Sequence, residues 1–487
     1  MLPVFLKHLL QNSNRGMSSL SEEQVYLCDQ RVNDRGVALD LPSIDLLINV
    51  TELYLDRCKQ RIRTATNGRI KSLNAVAQIL SYIKERFNIE LPDLSAATVD
   101  KELAKAEDPL LKEILQLRSY AAKASVSKLK KMMTAACYDS RVRGMLYYHG
   151  ADTGRWTSLL IQLQNLPRGM SFTNEEIDSL FALLNERGAT YWLTYVEDNY
   201  EAPMHVISSM LRGCFIAAPG HEFLVVDYAS IESRVLAWVA DQRDMLRLFH
   251  AGGDLYKDLA STMFGIPVDE VTKEQRQLGK YGILSCGYQI GANGLSRMIS
   301  GKVTNPDGMA QQIVDTYRTK YNRIRRLWYD LESEARNQVT DPKHYFARKV
   351  GRATFSMPKE FLYLHLPSGR RLAYPFAQLI PGHFEASEVL SYMKHVNNNW
   401  VRTTSYGGKL VENLVQATAR CLLAGAMVRL EKAGYPVVMS VHDELVVEAP
   451  VGALSLSRME ELMCELPKWA EGLPLAAEGF ITTRYRK

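Results

Sequence analysis

Residues 437–449, VVMSVHDELVVEA, set a histidine and two carboxylates, His442, Asp443 and Glu444, into an otherwise apolar run of the kind that sheets bury. The β-rich stretches on either side predict strand, tight turn, strand, with the charged trio at the tip of a hairpin. Acidic residues are common in turns, so the trio alone decides nothing; its meaning depends on a second carboxylate able to share the site. HEFLVVDYASIESRVLAWVA, residues 221–240, supplies one. Its first half reads as a buried strand and its second as an amphipathic helix, with Ile231, Val235, Leu236 and Val239 on one stripe. Asp227 is therefore expected at the carboxyl end of a strand, beside a helix start. A fold that puts both strands in one sheet must bring together residues more than 200 positions apart.

Two aspartates projecting from adjacent strands offer hard oxygen ligands to divalent cations, and Mg²⁺ favours one or two carboxylates completed by water and substrate phosphates. Two such ions, ~3.5 to 4 Å apart, suit in-line phosphoryl displacement. That chemistry also needs a holder for a polyphosphate. In KEQRQLGKYGILSCGYQIG, residues 273–291, Arg276, Lys280, Leu284 and Tyr288 recur every four positions, and at ~100° per residue each step turns them only ~40° further round a helix. All four are expected on one face: two cations, an apolar residue and an aromatic ring, in the order that phosphates, a sugar and a base would meet them. Gly279, Gly282 and Gly287 cost helix stability, ~1 kcal/mol each, and are expected where a backbone bends or comes close to something. An ordinary amphipathic helix with two exposed bases is the competing reading of this stretch taken alone.

At 487 residues, 46% hydrophobic and 23% charged, the chain has an ordinary globular composition and the length for about three lobes. No apolar stretch approaches the ~18 to 20 residues of a bilayer span, and MLPVFLKHLLQ has neither a basic leader nor a small-residue cleavage site. A cytoplasmic location with no membrane partner is expected. Seven cysteines are scattered without a C-x-x-C pair, which suggests neither a disulfide framework nor a zinc site. The formal charge of +5 is too mild to diagnose a nucleic-acid partner. Local basic clusters at RCKQRIR (57–63), Lys128, Lys130 and Lys131, Arg141 and Arg143, and RTKYNRIRR (318–326) fit solvated helix faces as readily as a binding surface.

Residues 22 to about 137 read as almost wholly helical. After turns and short extended pieces from GADTGRW onward, SFTNEEIDSLFALLNERG forms a helix opened by a Thr173/Glu176 capping box and stopped by Gly188. The region 240–340 reads as helical, 344–385 as short strands and turns, and KLVENLVQATARCLLAGAMVRLEKAG as a last helix leading into the hairpin.

Together these stretches resemble the motifs of the family A DNA polymerases, the DNA polymerase I type. DYASIESR resembles the family's DYSxIExR, R-x3-K-x7-Y its fingers helix, VHDE its hairpin, and TGRW followed by QLQNLPR at 162–168 its TGR…LQN(I/L)P element. The resemblance runs from about residue 22 to the end. It implies an α+β, right-hand architecture with an antiparallel-sheet palm and largely helical thumb and fingers. The corresponding boundaries are a tail at 1–21, thumb 22–140, palm 141–235, fingers 236–360 and the second part of the palm at 361–487. It further implies that Asp227 and Asp443 hold two Mg²⁺ ions, which Mn²⁺ can replace, with a backbone carbonyl from the Tyr228 region and Glu444 as a nearby, less essential carboxylate. Arg276 and Lys280 would neutralise a deoxynucleoside triphosphate, and Lys280 would protonate the departing pyrophosphate. Leu284, Ser230 and Tyr288 would line the nucleotide site, Tyr288 where the templating base enters. Glu232 would exclude ribonucleotides by bulk beside the sugar's 2′ carbon. Arg155, Gln416 and His442 would read minor-groove acceptors at the primer end. Gln164 and Asn165 would also lie on the primer-template DNA, and Lys128 and Lys131 of SVSKLKKMM would grip its phosphates from the thumb.

Departures from the family pattern carry their own expectations. Leu284 stands where an aromatic is usual, and Ile283, Leu284 and Ser285 replace Asn-Phe-Gly, which should alter discrimination at the sugar's 3′ position. This variant, LPSGRRLAYP and YGGKLVENLVQATAR resemble bacteriophage-encoded members. Glu412 occupies the place of an asparagine four residues before Gln416, and Asn413 is expected to substitute after a one-residue shift. Only about twenty residues precede the thumb, where a 3′→5′ exonuclease domain is usual. Proofreading is expected to be absent, on a separate chain, or lost with the front of a longer protein, and RGMSSLSEEQ with Met17 suggests a junction. The expected protein is a primer-dependent DNA polymerase of a phage or prophage, monomeric, with a separate exonuclease or processivity protein as candidate partner. An RNA polymerase of the same fold, against which Glu232 argues, and a non-catalytic DNA-binding scaffold are the alternatives.

Overall fold

A computed structural model describes residues 22–121, 125–167, 172–200, 202–342, 348–382, 388–396 and 399–486. The tail expected at 1–21, with Met17, lies outside the described residues. Packing divides them into two units, one of 22–32, 146–157 and 224–481, the other of 33–145, 158–223 and 482–486.

The first unit opens with helix α1 (Glu22–Arg35), which begins on two glutamates and buries Val25, Cys28 and Val32 at three- and four-residue spacing. Strand β1 (His221–Tyr228) is buried almost throughout, Asp227 being a partly exposed interruption. Ser230 adopts φ +52 between β1 and helix α2 (Ile231–Ala240), whose buried stripe contains Ile231, Val235, Leu236 and Val239. Helix α3 (Lys273–Cys286) opens on a capping box between Thr272 and Gln275. Helix α4 (Gly407–Lys432) is buried on nearly every face, as a central helix must be if apolar all round. It feeds strands β2 (Val437–Val441) and β3 (Glu444–Pro450), an antiparallel hairpin, and β4 (Ala477–Thr482) completes a sheet of order β2-β3-β1-β4. Five further helices between Arg243 and Thr340 and two three-stranded antiparallel sheets, at 354–375 and 378–405, fill the rest.

The glycines of α3 answer the question their cost raises. A Cβ on Gly279 would lie 2.1 Å from the Tyr256 carbonyl oxygen, and one on Gly282 2.6 Å from Leu259 Cδ2. Both neighbours belong to the helix Leu255–Phe264. Glycine thus lets two helices approach backbone to backbone.

The second unit is built on the helix Leu41–Ala65, which buries Ile44, Leu47, Tyr54, Cys58 and Ile62 along one stripe. Two features depart from the helical lobe read at 22–140. Residues 22–32 group with the first unit, and Val37–Leu39 is a strand between Arg141–Val142 and Phe215–Ile216. Three residues are too few to show a period, and both partners are remote in sequence. Gly188, with φ +75, interrupts helicity as expected, but the helix resumes and runs to Asn199. The seven cysteines are all free thiols, and among the described residues no helix is long and apolar enough to cross a membrane.

Gly279→Ala should destabilise the protein by about 1–3 kcal/mol, because the added methyl meets a backbone carbonyl that cannot rotate away. Thermal unfolding alongside an exposed control on the same helix, Gln277→Ala, provides the measurement; an unchanged midpoint would contradict the close approach.

Candidate active site

The hairpin forms as the β-rich runs on either side of the charged trio predict, with His442 and Asp443 in the turn and His442 at φ +56. The central fact of the site is a backbone hydrogen bond: the Tyr228 N–H donates to the Asp443 carbonyl at 3.3 Å. Asp227, on β1, and Asp443, in the turn that leads into the neighbouring strand β3, therefore lie at one edge of the same sheet. Strand alternation does the rest. The Tyr228 side chain is buried and its hydroxyl donates to the Met463 carbonyl at 2.6 Å, while Asp227 is partly exposed and lines, with Tyr228, Ala229, Glu478, Gly479 and Phe480, a cavity of about 330 Å³. Glu478 is a carboxylate the sequence reading missed. It lies on β4, in a segment with no periodic or motif signal, and only sheet order brings it near. Glu444, at the start of β3, is 1% exposed.

One chain of hydrogen bonds links all four sequence landmarks. Arg155 Nη2 donates to Asp443 Oδ1 at 3.1 Å and Nη1 to Glu232 Oε1 at 2.6 Å, and the Tyr288 hydroxyl donates to Glu232 Oε2 at 2.5 Å. Burial opposes the charge on Arg155, but Asp443 and Glu232 outweigh it and hold its pKa above the usual value. The Tyr288 phenol is pushed well up, first by burial and then by the Glu232 carboxylate. The Nε of Arg155 is buried and has no acceptor among the described residues.

On α3, Arg276, Lys280 and Leu284 occur as expected, but the helix ends at Cys286 and Tyr288 lies in the turn beyond. Gly287 keeps right-handed helical angles there, although its backbone passes so close to Leu236 that a Cβ would sit 2.8 Å away. Arg276 is paired: its Nε donates to Asp254 Oδ2 at 2.6 Å, over the ring of Tyr256. The other oxygen of Asp254 caps the helix Leu255–Phe264. Asp254 was also missed, though GGDLYKD carries a readable N-cap. Lys280 is half-buried with no ion pair among the described residues, and Leu284 is 55% exposed.

The expected one-residue shift on α4 does not occur. Asn413 is buried and donates to the Tyr374 hydroxyl at 3.0 Å, whereas Gln416 donates to Glu412 at 3.4 Å on the helix face one turn back. Helical periodicity puts 412 and 416 together and sends 413 to the core.

The remaining predicted residues lie in the second unit. Lys128 donates to the Ile161 carbonyl at 2.8 Å and to Gln162 at 3.3 Å, and burial lowers its pKa. Lys130 pairs with Glu52 at 2.7 Å, so of the three lysines it is Lys131 that is exposed and makes no ion pair among the described residues. The backbone of Gln164 donates to Ser158 at 3.3 Å, and Asn165 donates to Gln162 at 3.5 Å.

The sequence profile of DNA polymerase family A matches residues 48–485. The DNA polymerase of Bacillus phage SP02 is 37% identical over 471 residues, covering 96% of this chain and 71% of that protein. Thermostable DNA polymerase I of Thermus aquaticus is 28% identical over 252 residues, 50% of this chain and 24% of that one. Among solved structures, the POL domain of Pol1 from M. smegmatis, in complex with DNA primer-template and dNTP, aligns with a TM-score of 0.68 at 18% identity, over 98% of this chain and 72% of that one. The chain belongs to DNA polymerase family A, the class of DNA-directed DNA polymerases, and has its α+β polymerase fold.

Replacing Glu232 by Ala removes the acceptor and the negative charge beside Tyr288, so the phenol's pKa should fall toward the ordinary tyrosine range. NMR titration of ¹³Cζ-tyrosine protein, with the resonance assigned by Tyr288→Phe, reads the shift; an unmoved titration would show that Glu232 does not govern that ring.

Proposed function

We propose that this chain extends a DNA primer on a template by transferring deoxynucleotides, and that Asp227 and Asp443 hold the two divalent ions of the reaction. The observation that carries this reading is the Tyr228–Asp443 backbone bond, which brings the hairpin turn holding Asp443 against the strand end that holds Asp227. The donor set fits magnesium: two carboxylates at one sheet edge, with backbone carbonyls at hand. Hard oxygen donors with positions left for water and substrate phosphates are what Mg²⁺ takes. The ions would supply Lewis-acid polarisation of phosphoryl oxygens and charge neutralisation.

The chain's own residues do the remaining work. Lys280 neutralises the triphosphate and gives its proton to the departing pyrophosphate, and Arg276, held by Asp254, presents its remaining N–H groups to the same phosphates. Leu284, Ser230 and Tyr288 border the incoming nucleotide. Arg155, with a buried donor still unused, takes a minor-groove acceptor of the primer end, together with Gln416 and His442. Glu232, fixed from both sides by Arg155 and Tyr288, blocks the space of a 2′-hydroxyl. Positioning and charge neutralisation are the main demands of such a transfer.

In this reading the helices of the second unit act as thumb, with Lys131, Gln164 and Asn165 toward the duplex. The sheet β2-β3-β1-β4 is the palm, and the helices from 243 to 340 are the fingers. Lys128 serves the thumb from inside, by tying its helix to the Ile161 carbonyl and the Gln162 side chain. The setting is phage or prophage replication or repair in the bacterial cytoplasm, with no 3′→5′ exonuclease assigned to these residues.

Asp227→Asn and Asp443→Asn should each lower primer extension on the order of 10³-fold or more while primer-template affinity stays within a few-fold; extension by either variant near the parent rate would sink the reading. Glu232→Ala should raise the ratio of ribonucleotide to deoxynucleotide incorporation on the order of 10- to 100-fold. Single-nucleotide extension with paired rNTP and dNTP measures it, and a parent protein already preferring ribonucleotides would favour the RNA polymerase alternative.

A further inference from the structure

We infer that a buried charge network built by Glu22, Arg370 and Arg420 holds Arg155 in register with Asp443 and Glu232, and that these three are positioning residues for primer extension. The inference rests on the role proposed above for Arg155. It starts from the loop that carries that residue. The Gly154 N–H donates to the Ala151 carbonyl at 2.8 Å and the Ala151 N–H to the Arg155 carbonyl at 3.1 Å, closing the loop on itself. That leaves the carbonyls of Thr153 and Gly154 to find partners elsewhere, and each takes a guanidinium. Arg370 Nη2 donates to Thr153 at 2.6 Å and to Ala417 of α4 at 3.1 Å. Arg420 Nε donates to Gly154 at 3.0 Å. Gly154 itself adopts φ +84, and a Cβ there would sit 2.5 Å from Arg370 Nη1.

The residue after Arg155 is held by the same group. The Arg420 guanidinium lies 5.0 Å from the ring centroid of Trp156 and 5.5 Å from that of Tyr148, and Trp156 Nε1 donates to Asp29 of α1 at 2.9 Å. Both neighbours of Arg155 in the chain are thus anchored to Arg420. That arginine is only 1% exposed, and its charge is met by Glu22 in a two-pronged pair at 2.5 and 2.9 Å. The Tyr148 hydroxyl also donates to Glu22, and His149 Nε2 lies 3.7 Å away; burial holds the imidazole down, at about 4, so it joins the cluster uncharged. Buried ion pairs are often no more stabilising than apolar groups of the same size. What the planar, forked guanidinium adds is fixed direction, through charge-assisted bonds to two successive carbonyls. The cost of the buried charge is explained if the product is the aim of Arg155.

The experiment is a mutant cycle on the full chain, reading thermal midpoint, primer-template Kd, and kcat and KM for single-nucleotide extension. Glu22→Leu with Arg420→Met removes both charges and leaves neither unpaired. Expected is a midpoint within about 5 °C of the parent and a fall in kcat of about tenfold or more, as misplacement of a positioning group gives. In an Arg155→Ala background the same pair of changes should cause no further loss. Arg420→Lys, which keeps the charge but not the fork, should not restore the rate. If the apolar pair fails to fold, Arg370→Lys enters the same cycle, since it leaves the Glu22–Arg420 pair intact. An unchanged kcat, or a loss that simply adds to that of Arg155→Ala, overturns the inference. Should Arg155→Ala alone extend primers like the parent, the proposed role of Arg155 fails and this inference goes with it.

Discussion

The pairing of β3 against β1 is the constraint on which the rest of this structure depends. It places the turn residue Asp443 opposite Tyr228 and so puts two carboxylates at one edge of a sheet. A slip of one residue would turn Asp227 into the core and Tyr228 out of it. Tyr228 is itself the guard against that slip, because its buried ring and its bond to Met463 cannot be exchanged for a carboxylate without burying an unpaired charge. The Arg155 guanidinium rests on Asp443, and Asp227 is left partly exposed.

Around that pair, two of the three cations are engaged by acids of the protein itself. Arg155 bridges Asp443 and Glu232, and Arg276 rests on Asp254. Glu232 has both oxygens committed, one to Arg155 and one to Tyr288, so it ties the end of α3 to the sheet through α2. Each bond is charge-assisted and directional. The partners hold these side chains near rotamers fit for recognising phosphate or base edges, which reduces the ordering that substrates would have to impose. The close approach of α3 to the helix Leu255–Phe264, possible only because of Gly279 and Gly282, is what brings Asp254 within reach of Arg276.

Much of this was legible in the chain because it depends on local rules. Capping at Thr173, the stripe of α2, the strand ending at Asp227 and the hairpin around Asp443 follow from periodicity and turn chemistry, and the structure contains them. The misreadings share one cause, dependence on remote partners. The three-residue strand Val37–Leu39 exists because of chain segments at 141–142 and 215–216. Glu478 approaches Asp227 only through sheet order, and Asn413 turns to the core because Tyr374 waits there. Lys128 looked like its neighbours in a basic run, but a carbonyl at Ile161 claims it.

The sequence by itself marked the candidate residues and, Tyr288 apart, the local structure each occupies, since acid at a strand end, cations four apart on a helix and an acidic hairpin tip are short-range patterns. Only the tertiary structure decided who faces whom: that Arg155 lies between Asp443 and Glu232, that Tyr288 reaches Glu232, and that a helix at the front of the chain supplies the counter-charge for Arg420. The physical reason is that these are contacts between groups from 56 to 398 residues apart, whose geometry is set by the packing of whole elements and leaves no periodic trace in the chain.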